Sequence, residues 1–344
     1  MVVKEMIELA ELNARQFGGI DCCDNVPKFM SGERLSKLQG RMSGNLLKQF
    51  TMRVMNTLQW RKYGYNVFDV TDSLLAGLLL TTPTDEPGFP RFPYPSFIVR
   101  ISPGFIPTRD DAGDGGEERS SWVTHILVNG FQEIEAGAGD AIWLTTSASS
   151  PDFRDIIDEL FAFSFKSPAD YLKEDDERWA RLEEAVDKLN GFDYVPAECK
   201  MNPSRRKIAD LTQRTSFRVV ANLCSWIESI GGMAGRRPSN AILRSANRNK
   251  IHAAQWVVGR EVKLEPEMIT VAKEHILGLN PRTAIKGCHL RTRFPIRGHI
   301  RHQACGKNRT ERKVIWIKPH FHGPAGGDVL AHVYRVGAGQ EKRT

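Results

Sequence analysis

The chain has little of what marks secreted, membrane-spanning or cofactor-dependent proteins. Its six cysteines (Cys22, Cys23, Cys199, Cys224, Cys288 and Cys305) are scattered over 344 residues. That scatter points to reduced thiols in a cytosol rather than a disulfide framework, and the vicinal Cys22 and Cys23 read as two ordinary thiols. Long apolar runs are missing. The best, Leu74 to Leu80, is far short of the roughly 18 residues a membrane span needs, so no membrane partner is expected. The first helix, MVVKEMIELAELNARQ, carries Glu5, Glu8 and Glu11 where a signal peptide would have a basic start and an apolar middle. No G-x-x-x-x-G-K-[ST], G-x-S-x-G or H-E-x-x-H occurs, and GAGD at 137–140 is too short for a dinucleotide fingerprint. The sequence therefore gives no reason to expect a cofactor, and a non-enzymatic role is favoured.

What the chain does have is cationic charge in one place. Residues 282–344 hold 14 Lys and Arg against 3 Asp and Glu, a net of +11, which leaves residues 1–281 at −4. Six of the nine histidines (His289, His299, His302, His320, His322 and His332) lie there too. A near-neutral body with a strongly basic end suggests a module that meets a polyanion.

The pattern along the chain predicts an α+β protein. It would have a helical N-terminal part, a central antiparallel sheet packed by helices, and a small basic β-rich C-terminal module. The expected units are 1–80, 81–230, 231–281 (linker and helix) and 282–344. Helical spacing marks 3–16, 31–63 and 66–79, the last with Thr71 or Asp72 as N-cap. Residues 81–95 are too rich in proline for regular structure. Runs rich in β-branched and aromatic residues predict strands at 96–101, 122–129 and 141–146, with a solvated acidic loop at 110–118. Residues 152–190 read as helix, and 204–230 as a helix with Leu211, Phe217, Val220 and Leu223 toward the core. GGMAGRRPSN (231–240) is a linker by composition, 264–278 a last helix, and 313–317 and 329–336 strands.

In the basic region Arg293, Arg297 and Arg301 are four apart, but Pro295 and Gly298 argue against a helix there. Arginine on extended backbone suits phosphate, because its planar fork bonds two oxygens at once. The candidate nucleic-acid or ribosome contacts are Arg291, Arg293, Arg297, His299, Arg301, Arg309, Arg312, Lys313, Lys318 and His320. Trp316, Phe321, His320 and His322 would offer flat faces to single-stranded bases, unless Trp316 and Ile317 belong to a core. Cys288, His299, His302 and Cys305 are zinc-ligand types at poor spacing, and surface histidines are the better reading. A nuclease would want carboxylates near such histidines, yet Glu311 is the lone acid between 282 and 327.

Two segments carry a resemblance: QWRKYGYNVFDVTDSLLAGLLLTTPTDEPGFPRFPYPSFIVRI (59–101) and PIRGHIRHQACGKNRTERKVIWIKPHFHGP (295–324). The first orders a Trp-Arg, a glycine turn, an acidic helix start, a proline-rich crossover and a strand. The second opens on the box Arg297-Gly298-His299. Together they resemble the second family of type V-A anti-CRISPR proteins, carried by phages and plasmids. The resemblance implies a protein acting in the cytoplasm of a bacterial host. It would suppress biogenesis of a CRISPR nuclease by recognising the nuclease's nascent N-terminal peptide, with loss of the mRNA. Residues 1–281 would then supply the peptide-binding surface and the basic module would contact RNA or the ribosome. Where the family has an aromatic after the histidine, this chain has Ile300. The competing readings are an RNA nuclease acting through His299 or His320, and a general nucleic-acid-binding accessory protein. Self-association is left open by the sequence.

Overall fold

A computed structural model describes residues 2–17, 54, 56–84, 90–109, 120–131, 141–149, 159–163, 203–233, 238–244, 250–277, 292–324 and 327–329. The class is α+β. Helix α1 (Val2–Phe17) buries Met6, Ile7, Ala10 and Asn13, which recur at helical spacing on one side. Helical residues 56–62 add Trp60, which is fully buried, and its Nε1 donates to the Asn66 carbonyl at 3.0 Å.

The main sheet runs in the order β7-β6-β5-β3-β1-β9-β8, with β4 paired to β5. Its strands are β1 (Val67–Val70), β3 (Ser96–Arg100), β4 (Pro107–Arg109), β5 (Ser120–Phe131), β6 (Ala141–Ser149), β7 (Glu159–Phe163), β8 (Ser239–Arg244) and β9 (Lys250–Val258). The meander β3-β5-β6-β7 and the β8-β9 pair are antiparallel as expected. Strand β1 is parallel to both β3 and β9, so the sheet is mixed. The cause is the connection from β1 to β3: helix α2 (Asp72–Leu79) returns the chain to its starting end.

The sheet is covered on both sides, and the strand period of two sorts its residues. Phe68, Phe97, Val99, Ile126, Val128 and Leu144 face a large core. That core is closed by α2, by α3 (Pro203–Ser229) with Phe217, Val220, Leu223 and Trp226, and by α4 (Pro266–Leu277) with Met268, Val271 and Ala272. Val67, Ile98, Leu127 and Ala253 face the other way, onto α1 and Trp60.

The C-terminal strands form two small sheets. In the first, β11 (Gly298–Cys305) and β12 (Glu311–Ile317) make an antiparallel hairpin, and β2 (Thr81–Thr82) adds to β11 in parallel. In the second, β10 (Thr292–Ile296) lies between β13 (His320–His322) and β14 (Asp328–Val329). Gly298 is required where the first sheet meets the body. A Cβ there would lie 2.6 Å from Thr81 Oγ1 and 2.8 Å from the Ile317 carbonyl. The middle residue of the Arg297-Gly298-His299 box is thus fixed by close backbone approach.

Several sequence expectations need correction. Residues 66–79 are not one helix: β1 precedes α2, and Thr71 caps the helix by accepting from Leu74 N at 3.4 Å. Val67, Phe68 and Val70 gain strand partners on both sides, which outweighs a helical pattern of four residues. Residues 159–163, expected to be helical, extend the sheet, with Phe161 and Phe163 in register with Leu144 and Ile142. Ser239 and Asn240 belong to β8 rather than to a linker, and β4, β8 and β9 had no sequence forecast. The remainders of 31–63, 152–190 and 329–336, and the loop 110–118, lie outside the described residues. The helices at 3–16, 204–230 and 264–278 and the strands at 96–101, 122–129, 141–146 and 313–317 are present within a few residues.

Candidate functional site

The hairpin β11–β12 gathers most of the predicted basic residues and sorts them by strand alternation. His299, Arg301 and Gln303 stand opposite Ile317, Ile315 and Lys313 on one face; His299, Arg301 and Lys313 are exposed. Ile300, His302, Val314 and Trp316 form the other face, with Val314 buried and Trp316 half-buried. At the tip, Gly306 leads into a short 3-10 turn, Lys307–Arg309, in which Asn308 and Arg309 take positive φ. Lys307, Arg309 and Arg312 are exposed there, as are Lys318 and His320 beyond the end of β12. His320 Nδ1 lies 3.3 Å from the Lys318 carbonyl. Lys307 was missed by the sequence reading; its signal was the basic turn Gly306-Lys307-Asn308-Arg309 itself. Among the described residues none of Arg301, Lys307, Arg309, Arg312, Lys313 and Lys318 makes an ion pair. Among the described residues the hairpin therefore presents unpaired positive charge on its outer face (Arg301, Lys313) and around its tip, of the kind that binds phosphate with salt-sensitive affinity.

Other predicted residues are placed differently. Arg293 is ion-paired to Glu265 at the start of α4, and its guanidinium sits 4.7 Å from the centre of the Phe321 ring. Arg297 lies between β10 and β11 and is half-buried; burial lowers its pKa. Arg291 lies outside the described residues. The aromatic faces proposed for stacking are largely engaged within the fold. Trp316 packs on the core and against Gly77, and its Nε1 donates to Thr81 Oγ1 at 2.9 Å. Phe321 packs against the same core under Arg293. His299 and His302 stand on opposite faces of β11, and Cys288 lies outside the described residues. Among the described residues no group of three or more His, Cys, Asp and Glu is arranged to hold a metal ion.

The seam between the hairpin and the body is polar. Asn222 of α3 donates to the Leu78 carbonyl at 2.8 Å and the Thr81 carbonyl at 3.0 Å, and Gly298 N donates to the Leu80 carbonyl at 3.1 Å. Arg218 Nη1 reaches the Leu79 carbonyl at 3.4 Å, while its buried Nε has no partner. Burial, then repulsion from Arg297 and Arg214, pushes the Arg218 pKa down to about 10.

A second polar group crosses the main sheet, and no sequence motif announced it. Register brings Asp69 beside Arg100 and Arg100 beside His125. Arg100 Nε donates to Asp69 at 2.8 Å, and Gln255 Nε2 donates to the same carboxylate at 3.1 Å. The Asp69 hydrogen bond raises the Arg100 pKa. His125 is buried, with Nδ1 2.9 Å from Thr124 Oγ1; burial and then the Arg100 charge push its pKa down to about 4, so the ring is neutral near pH 7. Near α1, Glu11 accepts from Arg61 and from the Tyr65 hydroxyl. Burial raises the Glu11 pKa, but the bonds to Arg61 and Tyr65 win and leave it lowered. These groups are internally satisfied and read as structural.

No helix among the described residues is long and apolar enough to cross a membrane. No curated protein matches the chain. Among solved structures the chain is similar to one titled "Crystal structure of AcrVA2", at 12% identity and a TM-score of 0.40, covering 92% of this chain and 93% of that one. The model of the AcrVA2-like family, described as the anti-CRISPR type V subtype A2 family, matches residues 68–321. That span runs from the central strand β1 through the basic hairpin to β13, well over half of the sequence, so the chain belongs to the anti-CRISPR type V subtype A2 family.

Proposed function

We propose that this protein suppresses the biogenesis of a type V-A CRISPR nuclease in the bacterial cytoplasm. It recognises the nuclease's N-terminal peptide as translation exposes it, the basic hairpin contacts the message or the ribosome, and the mRNA is lost. The observation that carries this reading is the pairing of family membership with exposed cations, unpaired among the described residues, on the hairpin around Arg301, Arg309, Arg312 and Lys313. An extended nascent peptide suits strand addition, in which main-chain hydrogen bonds give affinity and alternate side chains give specificity. Among the described residues the main sheet ends at β7 and β8, which offer such edges. No catalytic group is needed, because a host ribonuclease would cleave the message.

The test is co-expression with a type V-A nuclease carrying either its native N-terminus or a synonymous-length replacement, with nuclease protein and mRNA both measured. Loss of both is expected only with the native N-terminus. Equal loss with the replacement would overturn peptide recognition. Message cleavage by the purified protein alone, abolished by His299→Ala, would overturn the non-enzymatic reading.

A further inference from the structure

The seam between α3 and β11 holds two guanidinium groups that pair with no acid among the described residues. Arg218 and Arg297 are anchored on successive backbone positions of the same segment: Arg218 donates to the Leu79 carbonyl, and the residue after Arg297 donates to the Leu80 carbonyl. Neither makes an ion pair among the described residues, whereas the neighbouring Arg214 is paired with Asp210. A structural role accounts for part of this. A cation near the C-terminus of α2 meets the negative end of the helix, and Arg218 sits there. One cation would serve that purpose, though, and the contact is long at 3.4 Å with Nε left bare inside the seam. Arg297 has no hydrogen-bond or ion-pair partner at all among the described residues, yet it is turned half inward. Two like charges brought together under burial repel each other, and no acid among the described residues pairs with either. Arg297 keeps some exposure, so the seam is reachable from solvent on its side, whereas the Arg218 Nε is buried.

We propose that Arg218 and Arg297 form a phosphate-binding notch, which takes one backbone phosphate of an RNA strand lying along the exposed face of β11. This deepens the function proposed above and rests on its assignment of RNA to the hairpin. Phosphate suits the notch because two planar forks can grip its several oxygens, and a tetrahedral anion between them cancels their repulsion. RNA is the source because β11 continues directly from Arg297 and Gly298 to exposed His299 and Arg301, so a strand held on that face passes the notch. The arginines differ in role: Arg301 adds charge at the surface, and the notch fixes where one phosphate sits.

The experiment uses the full chain in two measurements. In the first, Tm is followed against inorganic phosphate, with chloride at matched ionic strength. Wild type and Arg301→Gln should both gain Tm with phosphate, and Arg297→Gln, whose half-exposed side chain can be replaced without emptying the core, should not. In the second, affinity for a single-stranded RNA is measured against salt. Arg297→Gln should lower the slope of log K against log salt by about 0.7, the value for one lost single-strand phosphate contact. Arg218→Lys should keep the charge but lose the fork, with an intermediate phosphate response. Equal Tm gains in phosphate and chloride, or an Arg297→Gln protein that matches wild type in both measurements, would overturn the notch. A phosphate-dependent Tm gain with an unchanged RNA slope would overturn the RNA assignment, leaving a site for free phosphate. Loss of nuclease suppression in the co-expression assay with the Tm response intact would sink the proposed function and leave the notch standing; the reverse pattern would do the opposite.

Discussion

The body pairs several of its cations with acids, whereas the basic hairpin, among the described residues, pairs none. In the body, Arg61 meets Glu11, Arg100 meets Asp69 and Arg214 meets Asp210. On the hairpin, Arg301, Lys307, Arg309, Arg312, Lys313 and Lys318 stand exposed without such partners among the described residues. Charges of the first kind are matched within the fold and shape local order. Charges of the second kind have no such match among the described residues. The contrast separates residues matched within the fold from residues that, on the function proposed above, would meet RNA.

The largest test of that contrast is charge reversal on the hairpin. Replacing Arg301, Arg309, Arg312 and Lys313 by Glu should weaken RNA binding by about 100-fold or more near physiological salt. Urea stability should stay within about 0.5 kcal/mol of wild type, as for ordinary surface changes. A large loss of stability with RNA affinity retained would erase the distinction.

The next test lies in the body. Burial pushes the His125 pKa from its ordinary value of 6.5 down to about 4 in the folded protein. Above about pH 6.5 both states are neutral and its contribution is full. As pH falls toward 4 the unfolded chain takes up a proton that the folded chain refuses, so stability drops, by a limit of about 3 kcal/mol. Urea denaturation at pH 7 and pH 4.5 should show a smaller drop for His125→Asn than for wild type. An identical drop would show that other groups carry the acid sensitivity.

Gly298 joins the two regions. Gly298→Ala places a methyl against Thr81 Oγ1 and the Ile317 carbonyl, and should cost about 1–3 kcal/mol while reducing RNA affinity with it. Retained stability would mean that the hairpin can shift without cost. The smallest effect belongs to Asp69→Asn, where the ion pair with Arg100 is partly exposed. About 1 kcal/mol of stability should be lost, with RNA affinity unchanged.

How much of this was legible in the sequence depended on range. Periodicity over many residues announced α1 and α3, and β-branched runs announced β3, β5 and β6. Charge counting alone located the basic end. Strand β1 was misread because four residues are too few to show alternation, and its parallel neighbours are set by a crossover rather than by local pattern. The equal spacing of Arg293, Arg297 and Arg301 suggested equal roles. The break between β10 and β11 at Arg297 resets the alternation, so the three arginines reach an acid, a seam and solvent respectively. The row of Asp69, Arg100 and His125 depends on strand register, which no single segment encodes.

The two-residue strand β2 has a practical outcome for anyone recombining relatives of this protein. Thr81 and Thr82 complete a sheet whose other members, Gly298–Cys305 and Glu311–Ile317, lie far along the chain. A swap of tails that ignores Leu78 to Thr82 would graft a hairpin onto a mismatched dock, so the two distant stretches have to travel as one cassette.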